Sequence, residues 1–182
     1  KGLSFPTIMA SGARATVLHY PTPLATVGEN DLVLMDLGAR NNFYCADVTR
    51  TVPANGRYNG QQRTVYDIVL GANKLVIEKA RPGMTIADLQ RLTIDFLAKR
   101  CVEEGLLKTK EDIQNVYFHG VSHLIGLDTH DPYLNPLGRD SKTIPLEPGM
   151  IISDEPGLYF EELGIGVRIE DDLLITNDGC EV

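Results

Sequence analysis

Cysteines are scarce in this chain of 182 residues, and no two of them are close together in the sequence. Cys45, Cys101 and Cys180 are an odd number, widely spaced, without a C-x-x-C pair. This pattern argues against a secreted disulfide framework and fits a reducing compartment, so we expect a cytoplasmic protein.

Basic charge and long apolar segments are also scarce. Lysine and arginine number 17 against 25 acids, which gives a formal net charge of −8. An acidic surface argues against nucleic acid and anionic membranes as partners. No apolar run approaches the roughly 20 residues of a membrane-spanning helix, and no signal peptide is visible. The length suits one domain with a substantial core.

The first third of the chain has the composition of β-structure. Residues 31–38 are strongly apolar, residues 39–42 favour a turn, and residues 43–52 are rich in β-branched and aromatic side chains. We predict a hairpin with one acid on each arm, Asp36 and Asp47. Because Asp36 lies between apolar neighbours, its burial would be costly unless it were paired or bound to metal.

The middle third is predicted to be helical. Apolar residues recur at helical spacing over 64–80, and Arg81-Pro-Gly83 ends that segment. A second helix is expected to start near Thr85, capped by Asp88, and to end at Gly105. We assign both amphipathic helices to the core, without chemistry. Strands at 150–153 and 164–176 follow, and this order of elements predicts an α+β fold.

A set of four carboxylates and one imidazole is spread along the chain. Carboxylate oxygens with a single nitrogen suit a pair of divalent cations that activates water for hydrolysis. The five candidate ligands are Asp36, Asp47, His123, Glu155 and Glu170. Cys45, two residues before Asp47, is a conceivable further ligand, but a small buried apolar side chain is the favoured interpretation.

Three histidines lie within twelve residues: His119, His123 and His130. A single histidine is more often structural than ligating, but a cluster between glycines favours a site. His119 and His123 are four residues apart, yet Gly120 and the missing glutamate argue against an H-E-x-x-H zinc helix.

Two further pairs of charged residues stand near the candidate ligands. Arg168 and Glu170 would share a strand face, where Arg168 could orient a ligating carboxylate, reach a substrate or form a surface ion pair. Asp154 and Glu155 are adjacent, so only one of them can face a given site if the segment is extended.

Six ordered motifs resemble the proline-peptidase branch of the pita-bread metallopeptidases, which holds Xaa-Pro aminopeptidases and Xaa-Pro dipeptidases (prolidases). They occupy residues 34–38, 46–51, 119–131, 146–150, 154–159 and 167–172. The resemblance implies curved antiparallel sheets backed by helices. It also implies that residues 1–182 are a catalytic domain without its N-terminal domain and first catalytic-domain helix.

The resemblance also implies a role for each ligand. Asp36 would chelate one metal ion, Asp47 and Glu170 would bridge both, and His123 and Glu155 would complete the other. Glu155 would also accept the proton of the attacking water. Two divalent ions are implied, with Mn²⁺ the first choice and Co²⁺, Zn²⁺ or Fe²⁺ as alternatives.

The remaining implied residues face the substrate. His19 and His119 match histidines at the scissile carbonyl, and His130 and Arg168 match residues near the proline. The full-length protein would be a homodimer or higher homo-oligomer. Asp154 departs from the family pattern, in which that position is commonly apolar, and could perturb Glu155 or point away from it.

The expected activity is hydrolysis of the bond between an N-terminal residue and a following proline, in dipeptides or longer peptides. Methionine aminopeptidase shares the metal ligands, but its histidine motif differs. A non-catalytic binding module is a second alternative. Such modules typically lose several of the five ligands, and this chain retains them all.

Overall fold

The computed structural model describes residues 1–22, 24–132 and 140–182, which form a mixed α+β fold as predicted. Its long helices are α1 (Gly60–Lys79) and α2 (Ile86–Glu103). The strands are β1 (Gly2–Leu3), β2 (Ile8–Ser11), β3 (Leu32–Leu37), β4 (Ala39–Asn41), β5 (Tyr44–Cys45), β6 (Val48–Pro53), β7 (Leu124–Ile125), β8 (Ile151–Asp154), β9 (Gly157–Phe160), β10 (Ile165–Arg168), β11 (Asp171–Ile175) and β12 (Cys180–Glu181). Short 3₁₀ turns lie at Gly12–Thr16, Lys110–Asn115, Ser141–Thr143 and Glu161–Leu163.

The strands pair only in the antiparallel sense within the described residues. They form sheets with the orders β2-β3-β6, β1-β4-β5, β12-β11-β8-β7 and β10-β9. Because the strands are short and often interrupted, the fold has many strand ends. The candidate ligands lie at or beside these ends.

The predicted hairpin between β3 and β6 is present, with Asp36 opposite Thr49. Its second arm is not continuous, however, because β5 ends two residues before Asp47 and β6 starts just after it. The prediction of a turn over 39–42 was also wrong in its position. Residues 39–41 form β4, and the chain reverses at Asn42 and Phe43, whose φ angles are 51° and 71°. Two positive φ angles match the twist of a tight two-residue hairpin turn.

Both helices are present, and α1 starts four residues before the predicted position. Asn59 and Gln62 form a reciprocal cap there: the Asn59 side chain accepts from the Gln62 N–H (2.9 Å), and the Gln62 side chain accepts from the Asn59 N–H (3.0 Å). Thr85 and Asp88 form the equivalent cap at the predicted start of α2.

The helices pack against the sheets through two apolar clusters. One cluster joins both helices to β9 and β10, with Val69, Leu97, Leu158 and Val167 among its buried residues. The other joins them to β8 and β11 through side chains that include Val76, Leu89, Ile152 and Leu173. The sheets are therefore backed by helices, as the resemblance implied. None of the described helices combines the length and apolarity needed to cross a membrane.

Candidate metal centre

The five predicted ligands converge because each lies at or beside a strand end. Asp36 is near the end of β3, Asp47 is in the break before β6, and His123 directly precedes β7. Glu155 follows β8, and Glu170 lies between β10 and β11. All five line one cavity of about 250 Å³.

The atoms of the five predicted ligands form two overlapping groups within this cavity, and a third group joins Asp47 and His123 to His130. Oxygens of Asp36, Asp47 and Glu170 lie within 4.8 Å of one another. Atoms of His123, Glu155 and Glu170 do the same, so Glu170 belongs to both groups. Asp47 also approaches the second group, since its Oδ2 lies 3.7 Å from His123 Nε2.

The donor set fits divalent cations. Among the described residues, Asp36 Oδ1 and Asp47 Oδ1 are buried without any hydrogen-bond partner. A buried carboxylate oxygen without a partner costs free energy, and a cation would compensate for that cost. The residues present therefore suit the two-metal pair that the donor types predicted.

The clustered carboxylates resist ionisation in the metal-free protein. Burial, together with the charges of Asp36 and Glu155, raises the pKa of Asp47 to about 8. Burial is also the main cause that raises the pKa of Glu155 to about 7 and the pKa of Glu170 well above its usual range. Bound cations would favour the ionised forms.

His123 is held with a free ring nitrogen towards the carboxylates. Its Nδ1 lies 3.1 Å from the Leu124 carbonyl oxygen, which can only accept, so Nδ1 carries the proton. The lone pair of Nε2 then faces Glu155 Oε1 at 3.3 Å. Burial lowers the pKa of His123 to about 4, which keeps the ring neutral and able to bind metal near neutral pH.

Arg168 is buried, with 4% of its surface exposed, so it is not a surface ion pair. Its Nη2 donates to Asp36 Oδ2 at 2.6 Å, and its Nε donates to Thr49 Oγ1 at 3.1 Å. Its Nη1 donates to Tyr159 Oη at 3.1 Å. Of the predicted alternatives, the geometry favours orientation of a candidate ligand, but the carboxylate that Arg168 contacts is Asp36 and not the expected strand neighbour Glu170.

His119 lies beside Glu155, with its Nδ1 3.8 Å from Glu155 Oε2, and both of its ring nitrogens form hydrogen bonds. Nδ1 donates to the Gly120 carbonyl oxygen at 2.8 Å, so Nε2 accepts from the Tyr159 hydroxyl at 2.9 Å. The Tyr159 oxygen in turn accepts from Arg168. Burial lowers the pKa of His119 to about 4, so the ring is neutral near pH 7.

Three residues that sequence analysis did not single out support the ligands. Thr49 Oγ1 donates to Glu170 Oε2 at 2.6 Å and accepts from Arg168. Arg50 Nη1 donates to the Glu170 carbonyl oxygen at 2.6 Å, and the Asp172 carboxylate accepts the Asp47 N–H at 3.3 Å. Thr49 lies opposite Asp36 in the observed hairpin, but a turn at the predicted position would have placed Cys45 there, so the sequence prediction could not locate Thr49.

Asp154 is fully buried and points towards α1 rather than towards the ligands. Its Oδ2 accepts from Asn73 Nδ2 at 3.0 Å. Burial raises the pKa of Asp154 well above its usual range. Asn73 lies beside Ala72 on the buried face of α1. A polar residue on that face was the signal in the sequence that could have indicated a buried polar contact.

The other predicted residues lie at the rim of the centre. His19 and His130 are exposed, and the His130 ring contacts the His123 ring edge-on at 4.3 Å between centroids. Both line a second cavity of about 580 Å³ that also reaches Asp36 and Asp47. Cys45 is buried, and its thiol donates to the Leu127 carbonyl oxygen at 3.5 Å, in agreement with the favoured interpretation.

Comparison with known proteins identifies relatives over nearly the whole chain. The chain is 38% identical over 193 residues to Xaa-Pro aminopeptidase of Escherichia coli strain K12, covering 98% of this chain and 43% of that protein. A Bacillus anthracis structure provisionally described as an aminopeptidase P matches with a TM-score of 0.94 and 47% identity, covering 100% of this chain and 42% of that one. A substrate complex of a variant of Escherichia coli aminopeptidase P matches with a TM-score of 0.91 and 36% identity, covering 99% of this chain and 44% of that one.

These matches confirm the predicted pita-bread fold, and the chain spans less than half the length of each relative. Residues 1–177 match the sequence profile of Metallopeptidase family M24. The chain therefore belongs to metallopeptidase family M24.

Proposed function

We propose that this chain is the catalytic part of a dinuclear metal-dependent exopeptidase that hydrolyses the bond between an N-terminal residue and a following proline. The observation that carries the proposal is the pair of ligand groups sharing Glu170 beside an open cavity. The names of the relatives, Xaa-Pro aminopeptidase and aminopeptidase P, support proline as the second residue of the substrate.

The proposed ligand assignment follows the two groups. Asp36 serves one ion, His123 and Glu155 serve the other, and Glu170 and Asp47 bridge them. Mn²⁺ is the proposed metal, with Co²⁺, Zn²⁺ or Fe²⁺ as alternatives, because oxygen-rich sites with one imidazole accept all four. When bound, the pair supplies Lewis-acid activation of water and of the scissile carbonyl.

Glu155 is the proposed proton acceptor. Its carboxylate lies between the two imidazoles, with Oε2 3.8 Å from His119 Nδ1 and Oε1 3.3 Å from His123 Nε2. It takes a proton from the attacking water as the new C–O bond forms. It then returns the proton to the proline nitrogen as the C–N bond breaks, so the proton balance closes.

The histidines beside the cavity are proposed to contact the carbonyl oxygen. His19 is exposed at the rim and can turn towards it. His119 can donate only from Nε2, which now accepts from Tyr159, so donation requires a change of tautomer and of partner. Hydrogen bonds to the developing oxyanion would stabilise the transition state.

The second cavity is the proposed place for proline. It brings Phe5, Pro6 and Tyr20 together with His130, and these apolar and ring-bearing side chains suit a pyrrolidine ring. Arg168 is proposed to act on this substrate through Asp36, since its guanidinium is buried against that carboxylate.

The setting of the full-length protein is also proposed. The three cysteines are free thiols in the structure, which fits a reducing cytoplasm. Homodimers or higher homo-oligomers are expected once the rest of the protein is present.

Hydrolysis of short peptides tests the proposal. The Mn²⁺-loaded chain should release alanine from Ala-Pro-Ala or Ala-Pro and leave Ala-Ala-Ala and Met-Ala-Ser intact. Glu155→Gln should lower kcat by roughly 100- to 10 000-fold, because the proton acceptor is lost. Cleavage of Met-Ala-Ser in preference to Ala-Pro-Ala would favour a methionine aminopeptidase. No cleavage of any peptide by protein that binds two ions would contradict the proposal.

A further inference from the structure

We propose that Asn73, on helix α1, is a positioning residue that holds Glu155 and Glu170 in place for metal binding from the side opposite the ions. The inference rests on the proposed function, because it assigns a role towards the same metal centre. Sequence periodicity places Asn73 in a helix that otherwise serves only the core.

The Asn73 amide is buried, with 3% of the residue exposed, and it bridges two carboxylates. Its Nδ2 donates to Asp154 Oδ2 at 3.0 Å and to Asp171 Oδ2 at 3.1 Å. A primary amide carries two N–H donors, so each carboxylate receives one. Asn73 thereby ties β8 to β11 through side chains as well as packing against them.

The two tied aspartates are the chain neighbours of two proposed ligands. Asp154 directly precedes Glu155, and Asp171 directly follows Glu170. Asp154 and Asp171 are also opposite each other in the register of β8 and β11. Because neighbouring side chains of an extended segment point to opposite sides, fixing the aspartates on the helix side fixes the direction of the glutamates.

Arg50 extends the same set of contacts to the backbone of Glu170. Its Nη2 pairs with Asp171 Oδ1 at 2.5 Å, and its Nη1 donates to the Glu170 carbonyl oxygen at 2.6 Å. Asn73, Asp171 and Arg50 therefore form a continuous chain of hydrogen bonds that ends at the ligand segment. Hydrogen bonds of this kind to ligand-bearing segments commonly tune metal affinity.

The contribution of Asn73 should be unequal between the two ions. Both Glu155 and Glu170 belong to the group with His123, whereas only Glu170 belongs to the group with Asp36 and Asp47. Asp36 is held independently by Arg168. Loss of the Asn73 amide should therefore weaken the His123 ion site more than the other.

Stepwise Mn²⁺ titration of chelator-stripped protein by calorimetry tests this inference. Asn73→Leu has a similar size but no amide, and it should weaken one of the two binding steps by about tenfold, within the range typical of lost supporting contacts. The other step should change less than about threefold. Thr93→Val is the matched control, since Thr93 is fully buried in α2 and its hydroxyl has no hydrogen-bond partner among the described residues.

A second pair of variants keeps the test decisive if Asn73→Leu does not fold. Asp154→Asn retains a carbonyl oxygen for the Asn73 amide and should keep both steps near wild type. Asp154→Leu removes that acceptor and should weaken the same single step as Asn73→Leu. This contrast separates positioning by the hydrogen bond from an effect of the Asp154 charge on the ions.

Three results would overturn the inference. They are equal weakening of both steps, unchanged binding in Asn73→Leu, and equal damage by Asp154→Asn and Asp154→Leu. Failure of wild-type protein to bind Mn²⁺ would instead refute the proposed function, and the inference with it. If the wild type binds two ions and Asn73→Leu binds them equally well, only the inference is refuted and the proposed function stands.

Discussion

Arg168 and Asp36 form a buried ion pair, with Nη2 of the arginine 2.6 Å from Oδ2 of the aspartate. The two residues are 132 positions apart in the chain, so the pair joins the N-terminal β3 to the C-terminal β10 across the candidate metal centre. It leaves Oδ1 of Asp36 without a protein partner among the described residues. One oxygen is thus held by the protein while the other can face a cation.

Removal of the Arg168 charge should destabilise the metal-free fold. Arg168→Met leaves the buried Asp36 without its partner. It also removes the N–H groups that donate to the Thr49 and Tyr159 side-chain oxygens. Loss of one member of a buried pair typically costs about 3–5 kcal/mol in the free energy of unfolding. Urea unfolding with chelator present measures the loss.

The matched control for that substitution is Arg63→Met. Arg63 pairs with Asp67 on the exposed face of α1, where solvent screens the charges. Arg63→Met should therefore leave the urea midpoint of unfolding unchanged. A loss below about 1 kcal/mol for Arg168→Met would show that the buried pair does not stabilise the fold as argued.

A methyl group at Gly157 should disturb the contact between Tyr159 and His119. An added Cβ would lie 2.5 Å from Tyr159 Oη and 3.1 Å from His119 Nε2. Because Tyr159 is buried, its hydroxyl has little room to move. Gly157→Ala should cost about 1–3 kcal/mol by overpacking and lower kcat.

Thermal unfolding and peptide kinetics check this effect, with Gly179→Ala as control. No atom lies within 4 Å of a Cβ added at Gly179, so that variant should match wild type. A Gly157→Ala protein with unchanged stability and kcat would contradict the described packing around Tyr159.

Stability of the metal-free protein should fall as pH rises from about 6.5 to about 8. Asp47 and Glu155 have folded-state pKa values of about 8 and about 7, above their usual values of 3.8 and 4.5. In this window the unfolded chain has lost protons that the folded chain still holds, so ionisation favours unfolding. Urea unfolding at pH 6.5 and pH 8 measures the difference.

At lower pH the histidines act in the opposite direction. The pKa values of His119 and His123 are lowered to about 4 from 6.5, so acidification from pH 6.5 towards 4 favours the unfolded chain at these two sites. Over the same range Asp47 and Glu155 keep protons in the folded chain that the unfolded chain has lost, so these two carboxyls oppose the two histidines at least equally. Saturating Mn²⁺ should reverse the trend above pH 6.5, since binding requires ionised carboxylates. Rising stability of the metal-free protein from pH 6.5 to 8 would contradict the described burial.

Asp47→Asn should separate a hydrolase from a binding scaffold. It removes a negative charge that both ligand groups approach, with Asp47 Oδ2 lying 3.7 Å from His123 Nε2. We expect more than about 100-fold loss of peptide hydrolysis, exceeding the effect usual for supporting residues. Asp95→Asn, on the exposed face of α2, is the control and should retain activity. Unchanged hydrolysis in Asp47→Asn would contradict the ligand assignment.

The sequence predicted those secondary-structure elements that depend on residues close together in the chain. Thr85 and Asp88 located the start of α2, because a capping box is defined within four residues. The same logic applied to Asn59 and Gln62 would have located the start of α1, but an Asn–Gln cap is a less familiar pattern. The break at Asp47 was missed, since strand propensity does not show where pairing is interrupted.

The candidate ligands were predicted by residue type and motif, but their supporting contacts were not. Arg168 and Asp36 pair across 132 residues, and Asn73 contacts Asp154 across 81. Periodicity gives the face on which a side chain lies, not the distant segment that it meets. Helix α1 was therefore assigned to the core without chemistry, and the contacts of Asn73 with two aspartates were not predicted.

Calorimetric titration of Mn²⁺ into the chelator-stripped 182-residue chain near neutral pH tests the two-metal centre most directly. The account predicts two ions per chain, with protons released on binding because Asp47 and Glu155 must ionise. Folded protein that binds one ion or none would contradict the assignment of Asp36, Asp47, His123, Glu155 and Glu170 as a shared two-metal site.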